Sequence, residues 1–216
     1  DFKQDMSNKT VIFDFDGTIA NTFGTTIKIY NKIAPKYRGK IAKEEDLKKL
    51  RANKPQELLK SYNITKFKLP FLLLHIRKEL RKEINNIKPI SGIIKALRKI
   101  KAAGFNLGVM TSNSKKNVQI FADLNGLNGI FDFIYSGRNL FGKEKVINKL
   151  LKIHKIKKNS AIYIGDETRD IEASKKVGIQ IIAVSWGMNT KEILASLQPD
   201  TITDKPENLL KCIQEL

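Results

Sequence analysis

The chain has 216 residues, 41% of them hydrophobic, which is enough for one hydrophobic core and a small second lobe. Its single cysteine excludes an internal disulfide framework, and no run approaches the roughly 20 apolar residues of a membrane-spanning helix. The formal charge of +18 comes from 40 basic residues spread along the chain, and because only seven are Arg it favours capture of small anions over nucleic-acid recognition. We therefore expect a cytoplasmic monomer or homodimer with no membrane or nucleic-acid partner.

The first predicted element is a buried β-strand that ends in two acidic residues. The run Thr10–Asp16 is rich in β-branched and aromatic residues, which is typical of a parallel strand covered on both faces. Because side chains alternate along a strand, Asp14 and Asp16 are expected on one face, with Phe15 turned into the core. Gly17 follows and favours a tight turn at this point.

Residues 21–86 have a different, helical pattern and are predicted to form an all-helical insert. Lys, Glu and Leu recur at helical spacing in Glu44–Leu50 and in Gln56–Lys60, with Pro55 in a first-turn position. A longer helix is predicted over Phe67–Ile84, and its apolar face is expected to form the core of the insert. That face comprises Phe71, Leu72, Leu74 and Ile76. Two cations of the insert, Arg51 and Lys54, are predicted to be solvated surface residues.

After Pro89, predicted strands and helices alternate. The strands are expected at Phe105–Met110, Phe131–Tyr135, Ala161–Ile164, Ile179–Val184 and Thr201–Thr203. The helices are expected at Ile90–Ala103, Lys115–Leu124, Lys145–Ile153, Thr168–Val177 and from Pro206 onward. This alternation predicts an α/β fold with a Rossmann-like, doubly wound parallel sheet, in which ligands bind beyond the carboxyl ends of the strands.

The polar clusters of the sequence fall where these strands end. Asp14 and Asp16 follow the first strand, Thr111-Ser112-Asn113 the second, and Gly165-Asp166-Glu167-Thr168-Arg169-Asp170 the fourth, while Lys143 precedes a helix. Two carboxylates placed so close together repel, and a divalent cation relieves the repulsion. Oxygen-rich acidic sites of this kind prefer Mg²⁺.

These four motifs, in this order and context, resemble the haloacid dehalogenase (HAD) superfamily in its phosphoglycolate phosphatase-like subgroup. The resemblance implies a core domain formed by residues 1–20 and 87–216 and a small helical cap domain formed by residues 21–86. It also implies a Mg²⁺-dependent hydrolase that acts on a small phosphorylated metabolite through an aspartyl-phosphate intermediate.

The same resemblance assigns a role to each motif residue. Asp14 matches the nucleophile, and Asp16 matches the general acid and base. The phosphate-binding residues are Thr111, Ser112, Asn113 (through its backbone amide) and Lys143. The metal ligands are Asp14, Asp166 and the Asp16 carbonyl. The supporting residues are Gly17, Thr18, Gly165 and Asp170, the last holding the metal site or orienting the lysine.

Several alternatives stay open at this point. Lys145 lies close enough in sequence to replace Lys143 as the phosphate-binding lysine, although Lys143 directly follows the Gly142 turn and is preferred. A phosphosugar mutase, a pyrophosphatase or a nucleotidase would use the same motifs. A non-catalytic regulatory protein on this fold is a further alternative, against which the intact Asp14 and Asp16 argue.

Overall fold

A parallel six-stranded β-sheet forms the centre of the computed structural model, which describes residues 9–53, 60–137 and 142–216. The strands are β1 (Thr10–Asp14), β2 (Asn106–Thr111), β3 (Phe133–Ser136), β4 (Ala161–Gly165), β5 (Gln180–Val184) and β6 (Thr201–Thr203). They lie in the order β3-β2-β1-β4-β5-β6, with every neighbouring pair parallel. The predicted doubly wound α/β fold is thus confirmed, and β1 lies between β2 and β4.

The described residues also form α-helices of between 6 and 14 residues. They are α1 (Phe23–Ile33), α2 (Leu47–Ala52), α3 (Leu69–Lys82), α4 (Ile93–Ala102), α5 (Lys115–Leu124), α6 (Lys143–Ile153), α7 (Thr168–Val177), α8 (Lys191–Ser196) and α9 (Leu209–Gln214). Helices α5 and α7 have the predicted bounds, whereas α1 and α8 were not predicted. Within the described ranges, no helix combines the length and the apolar character needed to cross a bilayer.

Strand alternation divides the hydrophobic core between the two faces of the sheet. Val11 and Phe13 of β1 belong to one buried cluster, while Ile12 between them belongs to a second cluster that includes Tyr163. All of these side chains are fully buried, as expected for a parallel sheet covered on both faces. Because the strands are parallel, the polar residues that follow them all lie at the carboxyl edge of the sheet.

The helical segment, residues 21–86, differs from the prediction in its apolar face. Helix α3 contacts α1, and it buries Leu72 and Leu80. However, Phe71 is 65% exposed and Leu74 is 55% exposed, so the prediction that both belong to a core is wrong. These side chains lie on the flank of α3 that no other described element covers. The predicted residues Lys54 and Pro55, and most of the predicted helix that follows them, lie outside the described ranges.

Arg51 was expected at the solvated surface, but it joins the helical segment to the loop after β5. Its guanidinium donates hydrogen bonds to the carbonyl oxygens of Ser185 at 3.0 Å and Met188 at 3.4 Å. In return, the Arg51 carbonyl accepts from the Asn189 side chain at 3.0 Å and from the Thr190 amide at 3.0 Å. The prediction failed because the partners of Arg51 lie more than 130 positions away in the sequence.

We expect Arg51→Met to lower the free energy of unfolding by about 1–2 kcal/mol, because hydrogen bonds from a charged donor to two carbonyls are lost. Urea denaturation followed by circular dichroism measures this change. The control is Lys48→Met, which removes a charge from an exposed position of the same helix and should change stability by less than about 0.5 kcal/mol. Equal stability of the two variants would show that the Arg51 contacts contribute nothing.

Candidate active site

A cavity of about 220 Å³ lies at the carboxyl edge of the sheet, where the predicted motifs meet. Its polar lining residues are Asp14, Asp16, Arg77, Thr111, Ser112, Lys143, Glu144, Glu167, Arg169, Glu172 and Lys176. Strands β1 and β2 and the first turns of α6 and α7 supply most of them, and α3 of the helical segment supplies Arg77. A cavity of this size suits a small molecule.

Asp14, the last residue of β1, is held in one orientation from both of its carboxylate oxygens. Oδ1 accepts a hydrogen bond from the Phe15 amide at 2.8 Å, and Oδ2 lies 3.0 Å from Nζ of Lys143. The residue is only 7% exposed, yet it lines the cavity. A fixed carboxylate that meets a cavity and a cation is suited to attack an electrophile bound there.

Three buried carboxylates form a cluster that could hold a metal ion. Oxygen atoms of Asp14, Asp166 and Asp170 all lie within 4.8 Å of one another. Asp166 is fully buried, and its pKa is well above the ordinary range because burial and the charges of Glu167 and Asp14 destabilise the carboxylate. Hard oxygen donors whose negative charge is poorly compensated fit Mg²⁺. The carboxylate of Asp16 is not part of this cluster.

Glycines, Gly17 and Gly165 among them, allow this close approach of carboxylates to backbone. A Cβ on Gly17 would lie 2.2 Å from Oδ2 of Asp166, and one on Gly165 would lie 2.3 Å from Oδ2 of Asp170. Gly17 also has φ = +83°, a conformation that L-residues rarely adopt. Next to it, the Thr18 hydroxyl donates a hydrogen bond to Oδ1 of Asp166 at 2.7 Å.

Lys143 stands between two of the clustered carboxylates. Its ammonium contacts Oδ2 of Asp14 and Oδ1 of Asp170. Burial alone would lower the pKa of Lys143, but these carboxylates raise it well above its ordinary value, so the ammonium form is secured. Lys145, the alternative candidate, is exposed and does not line the cavity, and the geometry therefore favours Lys143. Asp170 also accepts a hydrogen bond from the Glu167 amide at 2.9 Å, which fits the predicted role of orienting the lysine.

Asp16 lies in a different environment from Asp14. Burial and the charge of Asp14 raise the pKa of Asp16 to about 7, against a smaller opposing effect of Arg77. Its Oδ1 is buried and has no hydrogen-bond partner within the described part of the chain. A carboxyl group with such a pKa can give up and take back a proton near neutral pH.

The turn after β2 carries the three residues of the predicted phosphate-binding motif, which lie in two different environments. Thr111 and Ser112 line the cavity, as a phosphate-binding role requires. The Asn113 amide, however, donates to Oγ1 of Thr111 at 2.8 Å, and Asn113 is buried away from the cavity lining. In the absence of a ligand this amide is thus engaged by Thr111, and its binding of phosphate stays a prediction.

Sequence reasoning did not assign three contributors to the site. Arg77 reaches the cavity from α3, and a helical pattern cannot show which of its side chains meets a cavity formed by distant residues. The amide of Met188 donates to Oδ2 of Asp166 at 2.7 Å, and the Asn189 side chain accepts from the Thr168 amide at 2.9 Å. The position of these loop residues just after a predicted strand was the available signal, because loops at the carboxyl edge supply site residues.

Known proteins resemble the chain over nearly its full length. The sequence signature of a family described as haloacid dehalogenase-like hydrolase matches residues 11–184. Phosphoglycolate phosphatase of Synechococcus elongatus is 27% identical over 96% of this chain and 98% of its own. Pyrophosphatase PpaX of Bacillus cereus is 25% identical over 98% of this chain and 99% of its own. The crystal structure of a predicted phosphatase from Clostridium acetobutylicum has a TM-score of 0.81 at 25% identity and covers 97% of this chain and 99% of that one.

We expect Gly17→Ala to destabilise the protein by more than about 3 kcal/mol, because backbone strain adds to a collision with the Asp166 carboxylate. The control is Gly104→Ala, at φ = +93° with no atom within 4 Å of the added Cβ. This control carries the backbone strain alone and should cost about 1–2 kcal/mol. Chemical denaturation of both variants measures the difference, and equal losses would mean that close packing against Asp166 is unimportant.

Proposed function

Because this chain belongs to the haloacid dehalogenase-like hydrolase family, we propose that it is a Mg²⁺-dependent phosphatase that cleaves a small phosphorylated metabolite through an aspartyl-phosphate on Asp14. The observation that carries the proposal is the buried Asp14 carboxylate, 3.0 Å from the Lys143 ammonium and within 4.8 Å of two further carboxylates, at the wall of a small cavity. The phosphatases among its relatives, similar over the full chain, support the same reaction.

In the first step, an oxygen of Asp14 attacks phosphorus and the bond from phosphorus to the leaving oxygen breaks. Asp16 donates its proton to the leaving oxygen, which departs as an alcohol. In the second step, Asp16 removes a proton from water, and the water oxygen attacks the phosphorus of the acyl phosphate. Inorganic phosphate leaves, and Asp14 and Asp16 return to their starting states.

Charge compensation in this scheme comes from residues that line the cavity. The Lys143 ammonium neutralises charge on Asp14 and on the phosphoryl group, and the Thr111 hydroxyl remains able to donate to a phosphoryl oxygen. Asp14, Asp166 and the carbonyl of Asp16 are the proposed ligands of Mg²⁺. When bound, the ion supplies further neutralisation of the phosphoryl oxygens and the nucleophile.

The helical segment is proposed to act as a cap over the cavity, with residues 1–20 and 87–216 as the core domain. Arg77 supports this division, because α3 carries it to the cavity that the sheet edge forms. A cover of this kind would exclude bulk water during phosphoryl transfer. The cytoplasmic location stays a prediction.

Pyrophosphate hydrolysis is the second candidate function. The similarity to pyrophosphatase PpaX, at 25% identity over nearly the whole chain, favours it. The same residues would act in the same roles, with phosphate as the leaving group in place of an alcohol.

Phosphate release from a panel of phosphorylated metabolites, with Mg²⁺ and with excess chelator, tests the proposal. We expect Mg²⁺-dependent release that is at least about 1,000-fold slower in Asp14→Asn, since the nearly isosteric amide is a poor nucleophile. The control, Asp204→Asn, changes an exposed carboxylate in the same way and should keep full activity. Full activity of Asp14→Asn, or release that withstands the chelator, would contradict the proposed chemistry.

Asp16→Asn separates the two steps. With p-nitrophenyl phosphate, whose leaving anion needs no proton, we expect a burst of p-nitrophenolate equal to the enzyme concentration and then turnover slowed by about 100- to 10,000-fold. With glycerol phosphate, no burst is expected, because the alcohol must be protonated to leave. Rapid-quench and stopped-flow measurements distinguish these cases. Steady turnover of both substrates at the wild-type rate would remove Asp16 from the mechanism.

A further inference from the structure

Arg77 is the cavity residue that the proposed chemistry does not use. It lies in α3, is half-buried, and lines the cavity together with Asp14, Asp16 and Lys143. Its guanidinium makes no hydrogen bond or ion pair with any described residue, although it has five N–H donors. The side chain lines the cavity without such a partner, so its donors are open to a ligand there.

The acidic neighbours of Arg77 are engaged elsewhere. Glu167 accepts two hydrogen bonds from the Arg169 guanidinium, at 2.5 and 2.6 Å, and is therefore neutralised by that residue. Burial, and then repulsion from Arg169, lower the pKa of Arg77, so the surroundings disfavour its charge. An anion that entered the cavity would stabilise the charged form of the Arg77 guanidinium.

Asp16 does not serve as the permanent partner of Arg77. The two side chains are near enough to interact, and Arg77 lowers the pKa of Asp16. Within the described residues, however, Oδ1 of Asp16 has no hydrogen-bond partner, and the guanidinium of Arg77 has none either. A ligand in the cavity that both residues line can therefore use the donors of Arg77.

We propose that Arg77 is a specificity-determining residue that binds a second anionic group, carried by the leaving group of the substrate. This inference rests on the proposed function, because Asp16 would lie at the leaving oxygen, and Arg77 lines the same cavity and interacts with Asp16. The substrate class is therefore a phosphate ester or anhydride whose leaving group bears a carboxylate or a second phosphate. Both groups accept paired hydrogen bonds from a guanidinium, which a neutral alcohol cannot do.

Matched substrate pairs measure the recognition of this second anion. In the first pair, 2-phosphoglycolate has a carboxylate where 2-hydroxyethyl phosphate has a hydroxymethyl group. In the second pair, pyrophosphate has a phosphate where methyl phosphate has a methyl group. For each pair, the ratio of kcat/KM values of the wild type is compared with that of Arg77→Met. We expect at least a tenfold fall in one ratio, mainly through KM, and the pair that responds identifies the anion as carboxylate or phosphate.

The control for this comparison is Arg81→Met, which removes the same charge one turn along α3. Arg81 is exposed and does not line the cavity, so both ratios should keep their wild-type values. Arg77→Lys, which retains the charge but not the paired donors, should recover part of the lost selectivity. The proposal is overturned if neither ratio of kcat/KM values changes. An equal fall in kcat/KM for all four substrates is one such result, and it would mean that Arg77 acts through Asp16.

A binding measurement separates this proposal from the proposed function. Titration calorimetry of Asp14→Asn with 2-phosphoglycolate and with pyrophosphate, with and without Arg77→Met, needs no turnover. If Arg77→Met lowers the affinity for one of these ligands at least tenfold, the anion subsite is supported. This holds even if the wild type hydrolyses no substrate, because the absence of hydrolysis would contradict only the phosphatase proposal. Hydrolysis by the wild type together with unchanged affinity would overturn the subsite alone.

Discussion

The carboxylates of Asp14, Asp166 and Asp170 repel one another, and the structure around them is arranged to hold them together. Their oxygens lie within 4.8 Å in a buried site, where like charges interact more strongly than in water. Lys143 offsets part of the repulsion through its contacts with two of the three. The hydroxyl of Thr18 fixes the third, so the charge that remains is concentrated where a divalent cation can bind.

The parallel sheet supplies the geometry that this cluster requires. Strands β1 and β4 are neighbours, so Asp14 and Asp166 emerge side by side at the carboxyl edge. Helix α6 begins at Lys143 and delivers the cation to the same edge. Glycine at position 17 removes the side chain that would otherwise meet the Asp166 carboxylate. Polar residues scattered over 150 positions thereby form one site, because parallel strands all end on the same side.

Features encoded within a few consecutive residues could be predicted, and features set by distant contacts could not. The strand at Thr10–Asp14 and the acids around it were readable because β-branched runs and alternation are local properties. Arg51 and Arg77 were not, since their surroundings come from loops and strand ends far away in the sequence. Helical periodicity predicts an apolar face on α3, but it does not show which of the side chains on that face are covered by other elements. Phe71 belongs to the predicted face and is exposed. The hydrogen bond from the Asn113 amide to Thr111 was not predicted either, because the residue types of a turn do not specify the direction of each amide.

The loop after β5 contacts both the carboxylate cluster and the helical segment. Its Met188 amide holds the Asp166 carboxylate, while the carbonyls of Ser185 and Met188 hold Arg51. The two attachments share one short stretch of backbone, so neither can rearrange without disturbing the other. If the proposed metal ion binds, thermodynamic reciprocity would link these attachments: an ion that orders Asp166 would also restrain the helical segment, and contact of that segment with the loop would raise the affinity for the ion by the same factor.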